Sequence, residues 1–385
     1  MRLLILAAVV LIASGCITTP PEPKLTTLES TSTTVVTPPP PSSTIDATST
    51  TVSTSTTQST STTTTTIRKI EINEQASENC FGFVLGAPGE TKAVKDLGMG
   101  WARPHPGPFA WGFVEKAKGN FDFTASDEWV TASQDNGVAL LGTIWPYADW
   151  DQIRCHKREC EVTQEDIFYP RGKFGFVDGI PKSRCIPCNI GEYKGFMEKL
   201  VERYDGDGVE DMPGLKQPVK HWETLNEPAL RAPDLTFFKG TPEEYVTILA
   251  ATYESVKKAC PDCTVVQGGA EGIQPEFINY WERVFKAGGG NYFDVANIHY
   301  INSGELDNLN VAKFKKLMDR NRLEKPIWVT EAEYRIESEV DASVDGALKA
   351  GASKVFFTRF IVGDRRPPTP GRYSQTYVQQ AKKCK

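Results

Sequence analysis

Short apolar runs alternate with longer amphipathic stretches from residue 80 to the end of the chain. Runs of this length, rich in Val, Ile, Phe and Trp, are typical of strands that are buried on both faces. The runs that we interpret as strands span residues 81–86, 100–103, 139–145, 219–226, 264–268, 293–300, 327–331 and 354–360. The clearest helical periodicity lies in residues 192–204, 242–259, 275–287, 312–321 and 340–350. Strands and helices that alternate in this way predict an α/β fold with a parallel sheet.

Eight such strands with helices between them predict a closed (β/α)8 TIM barrel, and the main alternative is a doubly wound open sheet. The loop after the first strand reads Gly-Ala-Pro-Gly, which is not the glycine-rich phosphate loop of many open sheets. The loop therefore favours the barrel. Residues 147–190 form a long insertion after the third strand, and in a barrel this insertion would lie at the C-terminal face, beside the active site.

Residues 1–16 have the pattern of a signal peptide. Arg2 precedes an apolar run at residues 3–12 that is too short to span a bilayer, and small residues lead up to Cys16. This ending resembles a prokaryotic lipobox, in which the cysteine becomes lipid-modified; ordinary secretion with cleavage nearby is the alternative. We expect an extracytoplasmic protein, either a cell-surface lipoprotein or a secreted one, that contacts the membrane only through an N-terminal lipid anchor.

Residues 17–66 consist almost wholly of Thr, Ser and Pro, whereas residues 67–385 have ordinary apolar content. The first segment cannot bury enough apolar surface to offset its chain entropy, so we predict a disordered linker. The second segment is somewhat longer than the roughly 250 residues of a typical barrel, which predicts one large domain. The net charge of −6 and the absence of a basic run argue against a nucleic-acid partner, and we expect a monomer.

Apart from Cys16, the cysteines are even in number, which predicts disulfides in an exported protein. They are Cys80, Cys155, Cys160, Cys185, Cys188, Cys260, Cys263 and Cys384. The four between residues 155 and 188 also have spacings that suit a structural zinc ion, so both interpretations stay open. Cys80 precedes the first strand and Cys384 lies near the other end of the ring, so we predict a disulfide between them. The histidines show no metal-ligand spacing, and we assign no catalytic metal and no cofactor.

Glutamates end the fourth and the seventh predicted strands. Glu227 lies in the sequence Asn-Glu-Pro, and Glu331 directly follows an apolar run. The C-terminal ends of barrel strands surround one pocket, so the two carboxyl groups would face each other, as a retaining glycosidase needs at about 5–5.5 Å. Glu333 lies two residues after Glu331, on the same face of the strand, and is the alternative candidate for its role. Glu223 would lie one layer deeper, where it would need a cationic or hydrogen-bonding partner and would be structural.

This pattern resembles the clan A retaining glycoside hydrolases, which include cellulases, β-mannanases and β-xylosidases. Those enzymes carry Asn-Glu-Pro at the end of the fourth strand and a nucleophilic glutamate at the end of the seventh. The resemblance implies that Glu227 is the general acid/base and Glu331 the nucleophile. It also implies that Asn226 binds the sugar 2-hydroxyl, and that the charge of the nucleophile raises the pKa of Glu227.

The resemblance extends to other strand ends, with departures. Arg103 ends the second strand, where the family keeps an arginine that binds the nucleophile. His299 and Tyr300 end the sixth strand, where the family often has a His and a Tyr that both face the site. Here they are adjacent, so only one can face inward, and His299 aligns better. The eighth strand lacks the tryptophan that many relatives place under the sugar, and Phe357 or Phe360 would replace it.

Four aromatic residues, Trp111, Trp145, Tyr147 and Trp150, cluster on the predicted loops after the second and third strands. Sugars stack their C–H faces on aromatic rings, so these side chains are candidate walls of substrate subsites. Anchoring of the loops is the alternative, and it stays open for each of them.

Together these features predict a retaining β-glycosidase that hydrolyses an extracellular polysaccharide or oligosaccharide. Two alternatives would use the same barrel: a catalytically inactive surface lipoprotein that binds carbohydrate, and a transglycosylase. The departures on the sixth and eighth strands favour the binding protein, whereas the presence of both carboxylates and of Arg103 favours the enzyme.

Overall fold

The structure is a computed structural model, and its described residues are 74–162, 181–231, 236–301, 304–334, 337–358 and 374–383. The predicted signal peptide with Cys16, the predicted linker at residues 17–66, and Phe360 and Cys384 lie outside them, as do residues 163–180 of the predicted insertion. Within the described ranges, every helix is too short or too polar to cross a membrane.

Eight parallel strands form the centre of the structure. They are β1 (Phe81–Leu85), β2 (Trp101–Pro104), β3 (Ala139–Ile144), β4 (His221–Thr224), β5 (Thr264–Gln267), β6 (Ala296–Ile301), β7 (Ile327–Glu333) and β8 (Ala352–Phe357). Their hydrogen-bonded order is β5-β4-β3-β2-β1-β8-β7-β6. The two edges meet through the parallel bridges Val266–Val295 and Ala270–Ile298. The sheet is therefore a nearly closed barrel, which confirms the predicted (β/α)8 fold.

Helices follow the strands and surround the barrel. They are α1 (Thr91–Asp96), α2 (Thr124–Asn136), α3 (Ile190–Glu202), α4 (Pro242–Ala259), α5 (Pro275–Lys286), α6 (Val311–Arg320), α7 (Val340–Ala350) and α8 (Ser374–Ala381). The predicted bounds of α4 and α7 are confirmed, and those of α3, α5 and α6 differ by one or two residues. Helix α4 begins sharply because the Thr241 hydroxyl accepts the backbone N–H of Glu244, whose carboxylate accepts the N–H of Thr241.

The bounds of helices α1 and α2 were not predicted from periodicity. The sequence of α2 is mostly polar, and Trp129 and Val130 are the apolar side chains that it buries. Such a narrow apolar face gives little periodicity. Shorter elements lie in the loops: the helices Glu74–Glu78, Trp111–Val114 and Asp149–Cys155, the hairpin strands Glu115–Ala117 and Asn120–Phe121, and 3-10 turns at Pro88–Glu90, Arg158–Cys160, Gly289–Asn291, Leu306–Asn308 and Glu337–Glu339.

The side chains inside the barrel change from aromatic to polar along the strands. At the N-terminal end, the rings of Trp101, Trp328 and Phe356 pack together with centroids 5.3 to 6.1 Å apart. Two residues further along β2 and β7, the inward positions carry Arg103 and Thr330. The polar layer therefore lies at the C-terminal end of the barrel, where barrel enzymes have their active sites.

The four cysteines of the insertion form two disulfides, Cys155–Cys188 and Cys160–Cys185. Their thiols are therefore not zinc ligands, and the structure favours the disulfide interpretation. The carboxylate of Asp151 accepts the backbone N–H of Cys188 at 2.7 Å, which fastens the base of the insertion to the helix Asp149–Cys155.

A third disulfide, Cys260–Cys263, lies directly after α4. Cys80 is also disulfide-bonded. Because Cys384 lies outside the described residues, the pairing of Cys80 with Cys384 stays a prediction.

Candidate active site

Arg103 lies at the centre of the polar layer and bonds three side chains. Its Nε donates to Oε2 of Glu223 at 2.6 Å, and its Nη1 donates to Oε1 of Glu331 at 2.7 Å. Its Nη2 donates to Oδ1 of Asn226 at 2.7 Å. Burial alone would lower the pKa of Arg103, but the two carboxylates raise it above its ordinary value, so the guanidinium stays charged. The expected contact between this arginine and Glu331 is present.

Glu223 forms the floor of the site and is fully buried. Besides the bond from Arg103, its Oε2 accepts from Oγ1 of Thr143 at 2.7 Å. Its Oε1 accepts from Nδ2 of Asn297 at 2.6 Å and from Oγ1 of Thr330 at 3.2 Å. A buried carboxylate whose acceptor positions are all used is stable but has no face left for a substrate. The predicted deep position and cationic partner of Glu223 are both present.

A β-bulge in β7 brings two adjacent residues, Thr330 and Glu331, to the inner face of the barrel. In the pairing with β6, Ile298 lies opposite Val329, and the next residue, His299, lies opposite Glu331. The pairing with β8 shows the same shift, so β7 carries one extra residue relative to both neighbours. Glu331 therefore reaches the pocket while Thr330 remains bonded to the floor beneath it.

The Asn-Glu-Pro turn carries Glu227 into the same pocket. Leu225 and Glu227 have φ values of 69° and 39°, a left-handed conformation that residues other than glycine rarely adopt. The chain therefore leaves the sheet after Thr224, earlier than the predicted strand end at residue 226. Oε1 of Glu227 lies 2.8 Å from Nδ1 of His299, within hydrogen-bonding distance.

The two carboxyl groups meet at the top of the barrel. One oxygen of Glu227, one oxygen of Glu331 and a ring nitrogen of His299 lie within 4.8 Å of one another. The side chains of Glu227 and Glu331 are 10% and 13% exposed, so both reach the pocket surface. These oxygens are therefore no farther apart than the roughly 5–5.5 Å that separates the two carboxyl groups of retaining glycosidases.

The two carboxyls differ in their electrostatic surroundings. Burial raises the pKa of Glu227 to about 8; Arg103 opposes the rise and the charge of Glu223 adds to it. Burial also raises the pKa of Glu331, against the opposing effects of His299 and of Arg103, which donates to it directly. At neutral pH, Glu227 is therefore mainly protonated, whereas the guanidinium of Arg103 favours the ionised form of Glu331. Burial is the largest cause at Glu227, and a repulsive interaction with Glu227 also acts on Glu331, as expected for two facing carboxyl groups.

Only the first of the two adjacent strand-six residues faces the pocket. Nε2 of His299 lies 2.9 Å from Oγ1 of Thr330. Burial lowers the pKa of His299 to about 4, so the ring is neutral at physiological pH. Tyr300 turns to the other side of β6, where its ring centroid lies 6.4 Å from that of Tyr334. The structure does not bring Tyr300 to the site, which corrects its inclusion among the supporting residues.

The loop aromatics anchor the loops rather than line the pocket. Trp111, Trp145 and Tyr147 are fully buried, so they offer no face on which a sugar could stack. The indole of Trp111 donates to the Glu115 carboxylate at 2.6 Å, and that of half-buried Trp150 donates to the Glu115 carbonyl at 2.8 Å. The prediction of subsite walls is wrong for the three buried residues, and Trp150 takes part in the same anchoring.

Phe357 does not form a floor under a sugar. It is fully buried, and its ring centroid lies 4.1 Å from that of Tyr377 and 6.0 Å from that of Phe81. Its neighbour Phe356 faces inward and packs with Trp101 and Trp328 at the opposite end of the barrel. The predicted replacement is therefore wrong for Phe357, and Phe360 lies outside the described residues.

Glu271 is a site residue that the sequence interpretation missed. It is buried in the loop Gly-Gly-Ala-Glu-Gly after β5. Burial raises the pKa of Glu271 to about 8, and the charge of Glu227 adds to this. An acidic residue in a glycine-rich loop directly after an apolar strand was the available signal. Asn297 and Thr330 were also missed, although Asn297 shares its parity with the predicted residue His299.

Glu227, His299 and Glu331 are also close enough to share a metal ion. However, Nη1 of Arg103 lies 2.7 Å from Glu331, so a metal cation would meet a positive charge already bound to one of its ligands. The arrangement therefore suits proton transfer and nucleophilic attack by carboxyl groups better than metal binding.

Solved structures with this fold include several glycoside hydrolases. A family 39 glycoside hydrolase from Bacteroides cellulosilyticus WH2 is 20% identical with a TM-score of 0.53, over 81% of this chain and 65% of its own. A glucosidase from Croceicoccus marinus is 14% identical with a TM-score of 0.55, over 80% of this chain and 68% of its own. A GH30 endoxylanase from Clostridium papyrosolvens C71 is 16% identical with a TM-score of 0.50, over 82% of this chain and 72% of its own.

These similarities establish the class of fold, which is the barrel that the resemblance to glycoside hydrolases implied. The chain spans about two thirds of the length of the family 39 hydrolase, 65% of it. No family model matches the chain, and no curated protein matches it by sequence. The chemistry of the chain's own carboxyl groups therefore carries the functional conclusion.

Proposed function

We propose that this protein is a retaining β-glycosidase in which Glu227 is the general acid/base and Glu331 the nucleophile. The observation that carries the proposal is the unequal surroundings of two facing carboxyl groups. Glu227 is buried beside a neutral His299, whereas Glu331 is paired with the guanidinium of Arg103. The shared fold with a family 39 hydrolase, a glucosidase and an endoxylanase supports the same class of activity.

The reaction has two displacement steps. In the first, the Glu331 carboxylate attacks the anomeric carbon, the glycosidic bond breaks, and Glu227 gives its proton to the leaving oxygen. In the second, the ionised Glu227 takes a proton from water, the water oxygen attacks the anomeric carbon, and Glu331 leaves as a carboxylate. The anomeric configuration is inverted twice and therefore retained.

The surrounding side chains support these steps. Arg103 favours the ionised form of Glu331 before the attack, since its guanidinium donates directly to the attacking carboxylate. Oδ1 of Asn226 accepts from Arg103, so its NH2 group is the part that would donate to the sugar 2-hydroxyl. Such a bond strengthens as charge develops on the sugar in the transition state.

The proposal extends to location and substrate. We propose an exported protein with a lipid anchor at Cys16, a spacer at residues 17–66 and a β-linked polysaccharide or oligosaccharide as substrate, acting as a monomer. The disulfides of the insertion suit an oxidising compartment. Cell fractionation of the wild-type chain and of a Cys16→Ser variant tests the anchor: the wild type should pellet with membranes and the variant should not.

The activity is tested with the full chain on a panel of β-linked polysaccharides and aryl β-glycosides, with reducing ends as the readout. Proton NMR of the first product should show the β-anomer. Glu331→Gln should abolish turnover, and Glu227→Ala should regain activity on an activated aryl glycoside when azide is added. Glu333→Gln is the matched control on the same strand and should keep most of the activity. Retained turnover in Glu331→Gln with loss in Glu333→Gln would reassign the nucleophile.

A further inference from the structure

The segment that follows β5, residues 268–272, is wedged between the Asn-Glu-Pro turn and His299. A Cβ on Gly268 would lie 2.7 Å from the carbonyl oxygen of Thr224, and a Cβ on Gly269 would lie 2.0 Å from Nε2 of His299. The carbonyl of Ala270 accepts the backbone N–H of His299 at 2.8 Å. The two glycines therefore let the segment touch both neighbours, and the bond to β6 fixes its position.

Glu271 lies in this segment, and its carboxyl group joins the turn to a helix. One oxygen, Oε1, accepts the backbone N–H of Ala229, two residues after Glu227. The other, Oε2, accepts from Nε1 of Trp281 in α5 at 3.1 Å. Glu271 is buried, and the two displacement steps described above assign it no role.

We propose that Glu271 is a positioning residue for Glu227, because it fixes the turn that directs the acid/base carboxyl group at the leaving oxygen. This inference rests on the proposed function. Glu271 does not touch the sugar in this account; it acts through the backbone of the turn.

The turn must be stabilised by contacts with other segments, because Glu227 has a φ of 39°. This strained conformation persists only where the surroundings impose it. Within the turn, the N–H of Leu230 bonds the carbonyl of Glu227 at 3.2 Å. The side chain of Arg231 bonds the carbonyl of Pro228 at 2.8 Å, but Arg231 is exposed. Glu271 is buried and is itself bonded to Trp281, so it stabilises the turn from the barrel side.

Glu271 also places a second ionisable carboxyl beside Glu227. The charge of Glu227 helps to raise the pKa of Glu271. An electrostatic interaction acts equally on both partners, so an ionised Glu271 favours the protonated form of Glu227. The other charged or titratable groups around this pair are Arg103, Glu223, Arg231, Tyr245, Tyr280, His299 and Glu331.

Two variants separate the effect of the hydrogen bond that Glu271 makes to the turn from the effect of its charge. Glu271→Ala removes both. Glu271→Gln removes the charge, while its amide oxygen can still accept from Ala229. Both are compared with the wild-type full chain on a phenyl β-glycoside, whose leaving group needs a proton, and on a 2,4-dinitrophenyl β-glycoside, whose leaving group does not.

Glu271→Ala should lower kcat/KM about 100-fold on the phenyl substrate and less than about 10-fold on the dinitrophenyl substrate, because only the first depends on a correctly placed acid. Glu271→Gln should restore the wild-type ratio between the substrates. It should also move the basic limb of the pH profile to lower pH, because Glu227 then loses its proton more readily. Glu243→Gln, an exposed carboxylate on α4 paired with Arg283, is the control and should change neither quantity.

Equal losses of Glu271→Ala on the two substrates would indicate a merely structural role and overturn the proposal. If Glu271→Ala fails to fold by circular dichroism, Glu271→Asp replaces it, since it withdraws the carboxylate by one methylene. A wild-type chain inert on every glycoside would refute the proposed function instead. Amide hydrogen exchange of the turn then decides the inference: Glu271→Ala should speed the exchange of the Ala229 N–H by about tenfold or more and Glu271→Gln should not, and unchanged exchange in Glu271→Ala overturns it.

Discussion

Replacement of Arg103 by Met should destabilise the barrel by about 3–5 kcal/mol, because it leaves a buried carboxylate without its cation. The guanidinium makes three short bonds, two of them to the carboxylates of Glu223 and Glu331. Glu223 is fully buried, so water cannot replace the lost partner. A domain of this size loses roughly 2 °C of melting temperature per kcal/mol, so the midpoint should fall by about 6–10 °C.

Urea unfolding of the full chain at pH 5 and at pH 8 measures this effect and its pH dependence. Burial already raises the pKa of Glu331 above its unfolded value, and the loss of Arg103, which opposes that rise, would raise it further. A carboxyl group whose pKa is raised in the folded state lowers the free energy of unfolding as the pH rises towards that pKa. The free energy of unfolding of the variant should therefore be further below that of the wild type at pH 8 than at pH 5. Arg203→Met is the matched control, because the Arg203–Asp127 pair is partly exposed and should cost at most about 1 kcal/mol.

The double variant Arg103→Met with Glu223→Met removes the cation and the buried anion together. It should recover part of the lost stability, because no uncompensated charge then remains on the barrel floor. A loss in Arg103→Met no greater than in Arg203→Met, or one that is the same at both pH values, would refute the view of Arg103 as the charge that holds this site together.

Three further predictions follow from single features of the structure. The kcat/KM of the wild type should fall as the pH rises through about 8, since Glu227 must be protonated in the first step; a profile flat to alkaline pH would contradict its role as acid. Gly269→Ala should lower kcat by about tenfold or more, because its Cβ would lie 2.0 Å from Nε2 of His299, whereas Gly89→Ala, with open space around its Cβ, should be neutral. Cys384→Ser should lower the melting temperature, equivalent to about 2–5 kcal/mol, without changing kcat; unchanged melting would rule out the Cys80–Cys384 bridge.

The parts of the site that strand alternation controls could be predicted from the sequence. Arg103 and Glu223 each lie at an inward position near a strand end, and period-two alternation is enough to place them. The adjacency of His299 and Tyr300 likewise predicted that only one of them faces inward, and the structure agrees.

The parts that depend on departures from alternation could not be predicted. The bulge in β7 turns both Thr330 and Glu331 inward, and nothing in the local sequence indicates an extra residue. The prediction that the loop tryptophans line the pocket was wrong for a different reason. A ring that can stack on a sugar can equally pack against its neighbours, and only the partners of Trp111, such as Tyr193 at 5.6 Å, decide between the two.

Glu271 illustrates the limit imposed by long-range contacts. Its partner Ala229 lies on the loop of the preceding strand, and no periodicity links the two positions. The neighbouring glycines carry the relevant information, because each marks a point where two backbones or a backbone and a ring come too close for a side chain.

The cation at the centre of the polar layer has a consequence for what the pocket tolerates. Arg103 is shared between the carboxyl groups of Glu223 and Glu331, while burial keeps Glu227 mainly protonated and His299 uncharged at neutral pH. The acidic side chains around Arg103 therefore outnumber the cation that they surround. Ligands with an amine or iminium centre should be attracted to this pocket, and acidic ligands such as uronates should be repelled.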